Sequence, residues 1–436
     1  MEIAYRPIRI ALLGAGSVGS QVARLLIENR HELAQRVGAD LELVGIAVRN
    51  LDSARNGNLP KELLTLDAES LIKAADIVIE LIGGIEPAKS YISLALNSGA
   101  DVITANKALI AAHGTELFDL AEQLGAQLYF EAAVGGAIPI IRPLRESLAG
   151  DKVNKVMGIV NGTTNFILDR MDSTGASFAD ALAEAQQLGY AEADPTADVE
   201  GYDAASKAAI LASLAFHTEM PVESVYREGI SEVTALQIET AREAGYAVKL
   251  LAICERVPAA DGHPEGIVAR VHPTLIPDDH PLAAVRGAYN AVFIEAESAG
   301  RLMFYGAGAG GPETASAVLG DLVGAAKRHL AGGPGIADSV HANLDILPVQ
   351  SVTTRFQITL QVNDLPGVLA SVATVFAQHG VSVETVDQNA AGQNTGALLT
   401  IMTHAAGEGE LESVVEDLRG NAAVQKVNSV IRVEGI

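Results

Sequence analysis

The sequence predicts an α/β protein built from a doubly wound parallel sheet, an α+β unit and a small C-terminal βαββαβ unit. Three observations carry that expectation. Ile8 to Leu13 form an apolar run that ends in Gly14-Ala15-Gly16-Ser17-Val18-Gly19, after which Val22, Leu25 and Leu26 recur at helical spacing. Strand-like runs then alternate with helical stretches through about residue 131, the pattern of a parallel sheet covered on both faces. After a glycine- and proline-containing stretch without a clear period, the last eighty or so residues carry their own short strand and helix pattern.

The elements follow in order. Further strands of the first unit are expected at Leu41 to Val48, Asp76 to Leu81, Ala100 to Thr104 and Gln127 to Glu131. From Val153 to Tyr305 the pattern changes to long helices, Phe178 to Leu188 and Ala204 to Phe216, with β-rich runs at Gly266 to Val271 and Ala291 to Glu295. Tyr305 to Leu330 opens with Gly306-Ala307-Gly308-Ala309-Gly310-Gly311-Pro312 and continues as an alanine-rich helix, expected to return to the first unit. The tail reads as strand Thr354 to Val362, turn Asn363-Asp364-Leu365-Pro366-Gly367, helix Val368 to His379, strands Val381 to Asp387 and Ala397 to Thr403, helix Gly409 to Arg419 and strand Val424 to Val433. The division this gives is 1–152 completed by 305–330, then 153–304, a linker 331–353, and 354–436.

Composition narrows the function classes. A chain of 436 residues is long enough for two or three cores. Although 49% of residues are hydrophobic, no apolar run approaches the roughly 18 needed to cross a bilayer, and the N-terminus does not read as a signal peptide. A cytoplasmic protein without a membrane partner is expected. Acidic residues outnumber basic ones 54 to 30, a formal charge of −24 that repels nucleic acid over most of the surface. The single cysteine, Cys254, excludes an internal disulfide and a cysteine metal cage, and its apolar neighbours Leu250 to Ile253 place it in a core.

The glycine fingerprint is weak by its letters, since the chain has 42 glycines, but its context is stronger. Following a buried strand and opening a helix, Gly14 permits the turn, Gly16 lets backbone approach a pyrophosphate, and Gly19 lets helix and strand pack, with Ser17 and Val18 at the helix start. This is a Rossmann-like dinucleotide site. The second strand runs into Arg49 rather than the acid that selects NAD, so NADP is favoured over NAD; the plainer reading of Arg49 is a solvated loop arginine.

The densest chemistry lies between Gly189 and Lys207, where Glu192, Asp194, Asp198, Glu200 and Asp203 precede Lys207. If a helix begins near Tyr202, Asp203 and Lys207 at i and i+4 share a face, where a carboxylate can orient an ammonium for proton transfer to a carbonyl oxygen. On spacing alone, a salt bridge on a solvated helix is the simpler reading.

The stretch from Ala185 to Lys207, with its Gly189-Tyr190 pair, Asp194-Pro195 and the later Asp198, Gly201, Asp203 and Lys207, resembles the signature of the homoserine dehydrogenases. Asn161-Gly162-Thr163-Thr164-Asn165-Phe166-Ile167-Leu168 is similar to that family's substrate loop, and Thr104-Ala105-Asn106-Lys107 to its lysine loop. The resemblance runs from the N-terminus to about residue 330. It implies nicotinamide-dependent interconversion of aspartate 4-semialdehyde and homoserine, in threonine, methionine and isoleucine biosynthesis. Carried over, Lys207 is the proton donor, Asp203 positions substrate and water, and Lys107 reaches the reacting end and the nicotinamide. Glu192 and Asp198 anchor the amino acid, with Glu192 facing its ammonium. Cofactor contacts are implied at Gly83, Lys107, Gly189, Gly308 and Gly311, and substrate contacts at Asn161, Gly162, Thr163 and Tyr190. Glu313 departs from the family pattern, which has a proline there, and puts that loop's contacts in doubt.

Glu131 to Pro139 resembles the family's monovalent-cation loop, which implies sodium held by the carbonyls of Val134, Gly136 and Ile138 and the Glu131 carboxylate; an ordinary glycine turn is the alternative. The tail, with Asn363, Asp364, Gly367, Val368 and Leu369 at its first turn, resembles the ACT regulatory domains, of ferredoxin-like βαββαβ order. That implies threonine as effector, feedback inhibition and at least a homodimer; a tail serving assembly alone is the plainer alternative. Two other functions compete. A phosphorylating semialdehyde dehydrogenase needs an activated cysteine, for which Cys254 has no fitting context, and a catalytically inactive sensor would not need Lys107, Asp203 and Lys207 together.

Overall fold

The computed structural model describes residues 6–51, 59–260, 264–332, 342–390 and 396–435. The N-terminal part alternates strand and helix. Its strands are β1 (Ile8–Leu13), β2 (Leu41–Ala47), β3 (Leu64–Thr65), β4 (Ile77–Glu80), β5 (Asp101–Thr104) and β6 (Leu128–Tyr129), and its helices α1 (Ser17–Glu28), α2 (Arg30–Val37), α3 (Ala68–Lys73), α4 (Ala88–Asn97) and α5 (Lys107–Leu124). Next come β7 (Val153–Ile159), α6 (Gly162–Thr174), α7 (Phe178–Gln187), α8 (Thr196–Val199), α9 (Tyr202–Phe216), β8 (Tyr226–Arg227), α10 (Ala235–Glu243), β9 (Tyr246–Val257), β10 (Gly266–Pro277), β11 (Tyr289–Ala296), β12 (Gly300–Ala307) and α11 (Gly311–Ala331). The tail adds β13 (Asp345–Ile346), β14 (Thr353–Val362), α12 (Val368–Gln378), β15 (Val383–Ala390), β16 (Ala397–Thr403), β17 (Ala406–Gly407), α13 (Glu408–Gly420) and β18 (Val424–Val433).

The chain divides into two compact units, one of Met1–Gly162, Ser206–Glu223 and Tyr289–Asn343, the other of Thr163–Ala205, Ser224–Ala288 and Leu344–Ile436. In the first unit, six strands lie in the order β3-β2-β1-β4-β5-β6 and all pair in parallel. The reversal of strand order between β1 and β4 is where open α/β sheets bind ligands. Strands buried on both faces need continuous apolar runs, and Ile10, Leu12, Ile77, Ile79, Val102 and Ile103 are fully buried. Helix α11 returns from far along the chain to the same core, packing Val318, Leu322 and Ala325 with Val22 and Leu26 of α1. Strands β7, β11 and β12 form an antiparallel set in this unit.

In the second unit, β9 and β10 pair antiparallel over their whole length. The sequence shows β10 only in its first half, Gly266 to Val271, and does not show β9, which is buried along almost its entire run and has no alternation. Cys254 lies fully buried on β9, with its thiol pushed up to about 12 by burial, a core residue and not a nucleophile. The tail forms a sheet in the order β18-β14-β16-β15, with α12 and α13 on one face burying Phe356, Ile358, Leu360, Val372, Phe376, Leu411 and Leu418. It is built into the second unit: β18 pairs in parallel with β10, Thr274 opposite Arg432 and Leu275 opposite Val433. The middle of the expected linker, 333–341, lies outside the described residues; before it α11 runs on to Ala331, and after it β13 pairs with β10.

Candidate active site

The glycine turn sits where β1 ends and α1 begins. Gly14 has φ +100°, a left-handed conformation that glycine alone adopts without strain, and a Cβ on it would lie 2.7 Å from the Leu81 carbonyl oxygen. A Cβ on Gly19 would fall 2.1 Å from the Gly14 carbonyl oxygen, so no larger residue fits. Gly16 differs: nothing lies within 4 Å of its Cβ position, and it caps α1 without any side-chain hydrogen bond. A tight turn, an open approach and a helix N-terminus presenting N–H groups form a cradle that fits a dinucleotide pyrophosphate. Gly311 packs its backbone on the first turn of α1, 2.9 Å from Ser17 Oγ at its Cβ position, so α11 starts beside the fingerprint. Arg49 is exposed just beyond β2, followed by 52–58, which lie outside the described residues.

The lysine loop is organised by a residue the sequence reading passed over. Glu80, fully buried at the end of β4, accepts hydrogen bonds from the N–H groups of Ile82 (2.7 Å) and Gly83 (3.1 Å) and from the Thr104 hydroxyl (2.6 Å). Thr104 Oγ1 accepts in turn from Asn106 N, and the Asn106 amide donates to the Gly84 carbonyl at 2.6 Å while its Oδ1 caps α5. The β4 loop with Gly83 and the β5 loop with Lys107 are thereby fixed to each other. Lys107 is the first residue of α5 and is exposed. A charged residue ending a buried apolar strand was the signal that could have found Glu80.

Lys207 lies on α9 and is buried, with Nζ donating to the Val160 carbonyl at 2.6 Å. Val160 follows β7 and leads directly into Asn161 and Gly162, the first two residues of the expected substrate loop. Asp203, also buried, stands one helical turn earlier on α9, at the spacing that shares a face.

In the second unit, the Thr163 hydroxyl at the start of α6 donates to the Tyr190 carbonyl at 2.6 Å, and the rings of Phe166 and Tyr190 lie 4.9 Å apart. Gly189, with φ +78°, ends α7 just before this contact. Glu192 is exposed, and its carbonyl accepts from Gln186. Asp194 accepts from the Thr196 amide and hydroxyl at the start of α8, bonds that hold its carboxyl below the usual range. Asp198 on α8 is half-buried. A second buried group missed at the sequence level is Lys249, whose Nζ donates to the Val285 carbonyl (2.5 Å) and to Asn165 Oδ1 (3.2 Å), fixing the asparagine of α6.

The expected cation loop is joined to β12 by the Ala137 amide, which donates to the Ala307 carbonyl at 3.0 Å. Gly136 packs on Gly308, 2.5 Å from its carbonyl carbon at the Cβ position, and Ile138 N donates to the Gly135 carbonyl. The Glu131 carboxylate is already engaged: it accepts from the N–H groups of Ile140, Ile141 and Arg142 and pairs with the Arg142 guanidinium at 3.3 Å. That side chain therefore fits loop anchoring better than cation binding, leaving the Val134, Gly136 and Ile138 carbonyls as hard oxygen donors. Asp321 of α11 completes the anchor, bonding Glu131 N and Arg142, with its carboxyl pushed up to about 7 chiefly by burial. Glu313 lies in the first turn of α11, its carboxylate folded over Gly310, where an acid complements the helix dipole.

In the tail, Asn363 Oδ1 accepts from Gln425 at 2.7 Å, tying the first turn to β18. Gly367, with φ +93°, caps α12; Asp364 and Leu369 are exposed beside it, and Val368 is half-buried.

Three family models match the chain: the homoserine dehydrogenase NAD-binding domain over residues 14–131, the homoserine dehydrogenase domain over 139–323 and the ACT domain over 356–423. The homoserine dehydrogenase of Corynebacterium glutamicum is 56% identical over 429 residues, covering 98% of this chain and 96% of that protein. The chain belongs to the homoserine dehydrogenase family. Its fold agrees with that membership: the homoserine dehydrogenase of Thiobacillus denitrificans superposes with a TM-score of 0.90 at 39% identity, covering 99% of each chain. A hyperthermophilic archaeal homoserine dehydrogenase, solved in complex with NADPH, covers 75% of this chain and 99% of its own at 29% identity and a TM-score of 0.61. Among the described residues, no helix is long and apolar enough to cross a membrane, and no group of three His, Cys, Asp or Glu side chains is arranged to hold a metal.

Proposed function

We propose that this protein interconverts L-aspartate 4-semialdehyde and L-homoserine, with Lys207 supplying the proton. The observation that carries the reading is the buried Lys207 ammonium, held on the Val160 carbonyl next to Asn161 and Gly162 and one turn from Asp203. A bound nicotinamide supplies or accepts the hydride at carbon. The Val160 carbonyl orients the ammonium, whose N–H groups can donate a proton to the developing alkoxide and stabilise its charge. Asp203 orients substrate and water, Lys107 reaches the reacting end, Glu192 and Asp198 hold the amino group, and Asn161, Gly162, Thr163 and Tyr190 frame the substrate.

The cofactor contacts are assigned to Gly14, Gly16, Ser17, Val18, Gly19, Gly83, Lys107, Gly189, Gly308 and Gly311. NADP is favoured over NAD because the second strand runs into Arg49, a guanidinium able to pair with a 2′-phosphate, and not into an acid; the archaeal relative was solved with NADPH. Sodium is held by the Val134, Gly136 and Ile138 carbonyls, in the loop that Glu131 anchors. Threonine binds at Asn363, Asp364, Gly367, Val368 and Leu369 and inhibits, in a cytoplasmic homo-oligomer whose domains divide at 152, 304 and 353. Oxidation of NADPH on addition of aspartate 4-semialdehyde, repeated with NADH, sodium and threonine, tests each part. No semialdehyde-dependent oxidation with either nucleotide would overturn the activity, and tighter NADH binding would overturn the cofactor preference.

A further inference from the structure

Within the second unit, a network of charged groups runs from buried arginines and glutamates at and beside the last strand, through the half-exposed Glu228, to the acidic loop. Arg432, near the end of β18, is buried, and its guanidinium donates to Glu408 (2.6 Å), to Glu228 (2.7 Å) and to the Tyr226 hydroxyl (3.2 Å). Tyr226 donates in turn to Glu228. Two residues beyond Arg432, Glu434 pairs with the fully buried Arg270, which also pairs with Glu255. The strands bearing these groups are in register, Tyr226 opposite Arg270 and Thr274 opposite Arg432. Buried ion pairs cost desolvation that even good geometry only offsets, so added stability is a weak reason for such a network. Fixing the place of a short segment is a better one.

That segment is Tyr226 to Ser231. Successive strand side chains point to opposite faces, so while Tyr226 faces Arg432, Arg227 faces the other way. Its guanidinium donates to the Glu200 carbonyl and lies 3.5 Å over the Tyr202 ring. The backbone beyond follows the same loop. Ile230 N donates to the Val199 carbonyl at 2.8 Å, Ser231 donates to the Glu200 carboxylate, and a Cβ on Gly229 would lie 2.5 Å from the Val199 oxygen. Val199 to Tyr202 is the joint between α8, which carries Asp198, and α9, which carries Asp203.

We propose that Arg227 is a positioning residue for the loop that carries Asp198 and Asp203, and that Arg432 of the terminal strand, through Glu228, fixes the segment that bears it. The proposal rests on reading Asp198 and Asp203 as substrate-holding groups. It makes the end of β18 a determinant of homoserine binding without any contact to substrate, and gives the tail a physical route to that site. A guanidinium suits the role because it donates a hydrogen bond in its plane while stacking its face on an aromatic ring, which an ammonium does less well.

The test uses the full-length enzyme and steady-state kinetics with homoserine. Arg227→Leu is expected to raise KM for homoserine about tenfold while changing kcat less than about threefold and leaving the cofactor KM unchanged, the scale of a displaced substrate anchor. Arg227→Lys should recover part of the loss. Glu228→Gln, nearly isosteric, changes a carboxylate that meets Arg432 and Tyr226; it should raise the homoserine KM by about threefold, and serves if Arg227→Leu fails to fold. A lowered melting temperature with unchanged homoserine KM in Arg227→Leu, or in Glu228→Gln if the former does not fold, would overturn the proposal. Asp198→Ala and Asp203→Asn separate the two readings. If they leave homoserine kinetics untouched, the substrate reading falls and the proposal with it; if they impair and the Arg227 variants do not, the proposal alone falls.

Discussion

Glu80 gives the sharpest structural prediction. Its carboxylate accepts two backbone N–H groups and one hydroxyl from a fully buried position, and through Thr104 and Asn106 it fixes the loops bearing Gly83 and Lys107. Replacing it by Ala removes all three acceptors. A buried donor left unpaired costs about 1–3 kcal/mol, but Ile82 and Gly83 lie near the surface and can be hydrated, so roughly 2–5 kcal/mol in total is expected rather than the full sum. Glu80→Gln keeps one carbonyl for the two N–H groups and turns an amide donor toward Thr104, whose hydroxyl already accepts from Asn106, so about 1–2 kcal/mol is expected. Since both loops border the expected cofactor site, part of this cost should appear as weaker NADPH binding: about tenfold or more for Glu80→Ala and a few-fold for Glu80→Gln. Fluorescence titration with NADPH, beside thermal denaturation, reads both effects. Wild-type affinity in a folded Glu80→Ala protein would refute the claim that this carboxylate shapes the site.

Other outcomes follow from the same geometry. Gly19→Ala places a Cβ 2.1 Å from the Gly14 oxygen, backbone against backbone, so it should lower the melting temperature and weaken dinucleotide binding more than tenfold, on the order of 1.4 kcal/mol or above, by titration. Burial, with the Arg286 charge adding to it, pushes the Lys249 ammonium down to about 8. Between that value and the ordinary lysine value, the unfolded chain holds a proton that the folded chain has released, so this group makes stability rise with pH. A Lys249→Met variant should lack that rise, seen as a smaller increase in denaturant midpoint between about pH 8 and about pH 10; an equal increase in both proteins would remove Lys249 from the account.

Much of this was legible in the residues. The run Ile8 to Leu13, the glycines after it and the helical spacing of Val22 and Leu26 correspond to β1, the turn and α1, because a tight turn between buried elements tolerates so few residues. The tail was readable for a similar reason, its strands alternating against one helical face. The continuous apolar run of β9 was not, since a strand buried on both faces carries no period, and β7 joins a sheet whose neighbours lie far along the chain. The acidic stretch stood out by its carboxylates, but the residues that support it did not. Arg227, Glu80 and Lys249 act through contacts at sequence separations that no local motif records. Glu131 shows the opposite limit: a motif supplied a ligand role, while its carboxylate is occupied by three backbone amides and an arginine. The tail, expected as an appended sensor, shares a strand pairing and the buried Arg270–Glu434 ion pair with the second unit, so point substitutions probe it better than deletion does.

The proposed reaction turns on Lys207 as the group that protonates the substrate oxygen. The direct measurement is single-turnover reduction of aspartate 4-semialdehyde by saturating NADPH in wild type and Lys207→Met. A loss of about 10²- to 10⁴-fold in the hydride-transfer rate is predicted, with NADPH affinity within about threefold of wild type. A Lys207→Met enzyme that transfers hydride at the wild-type rate would contradict it.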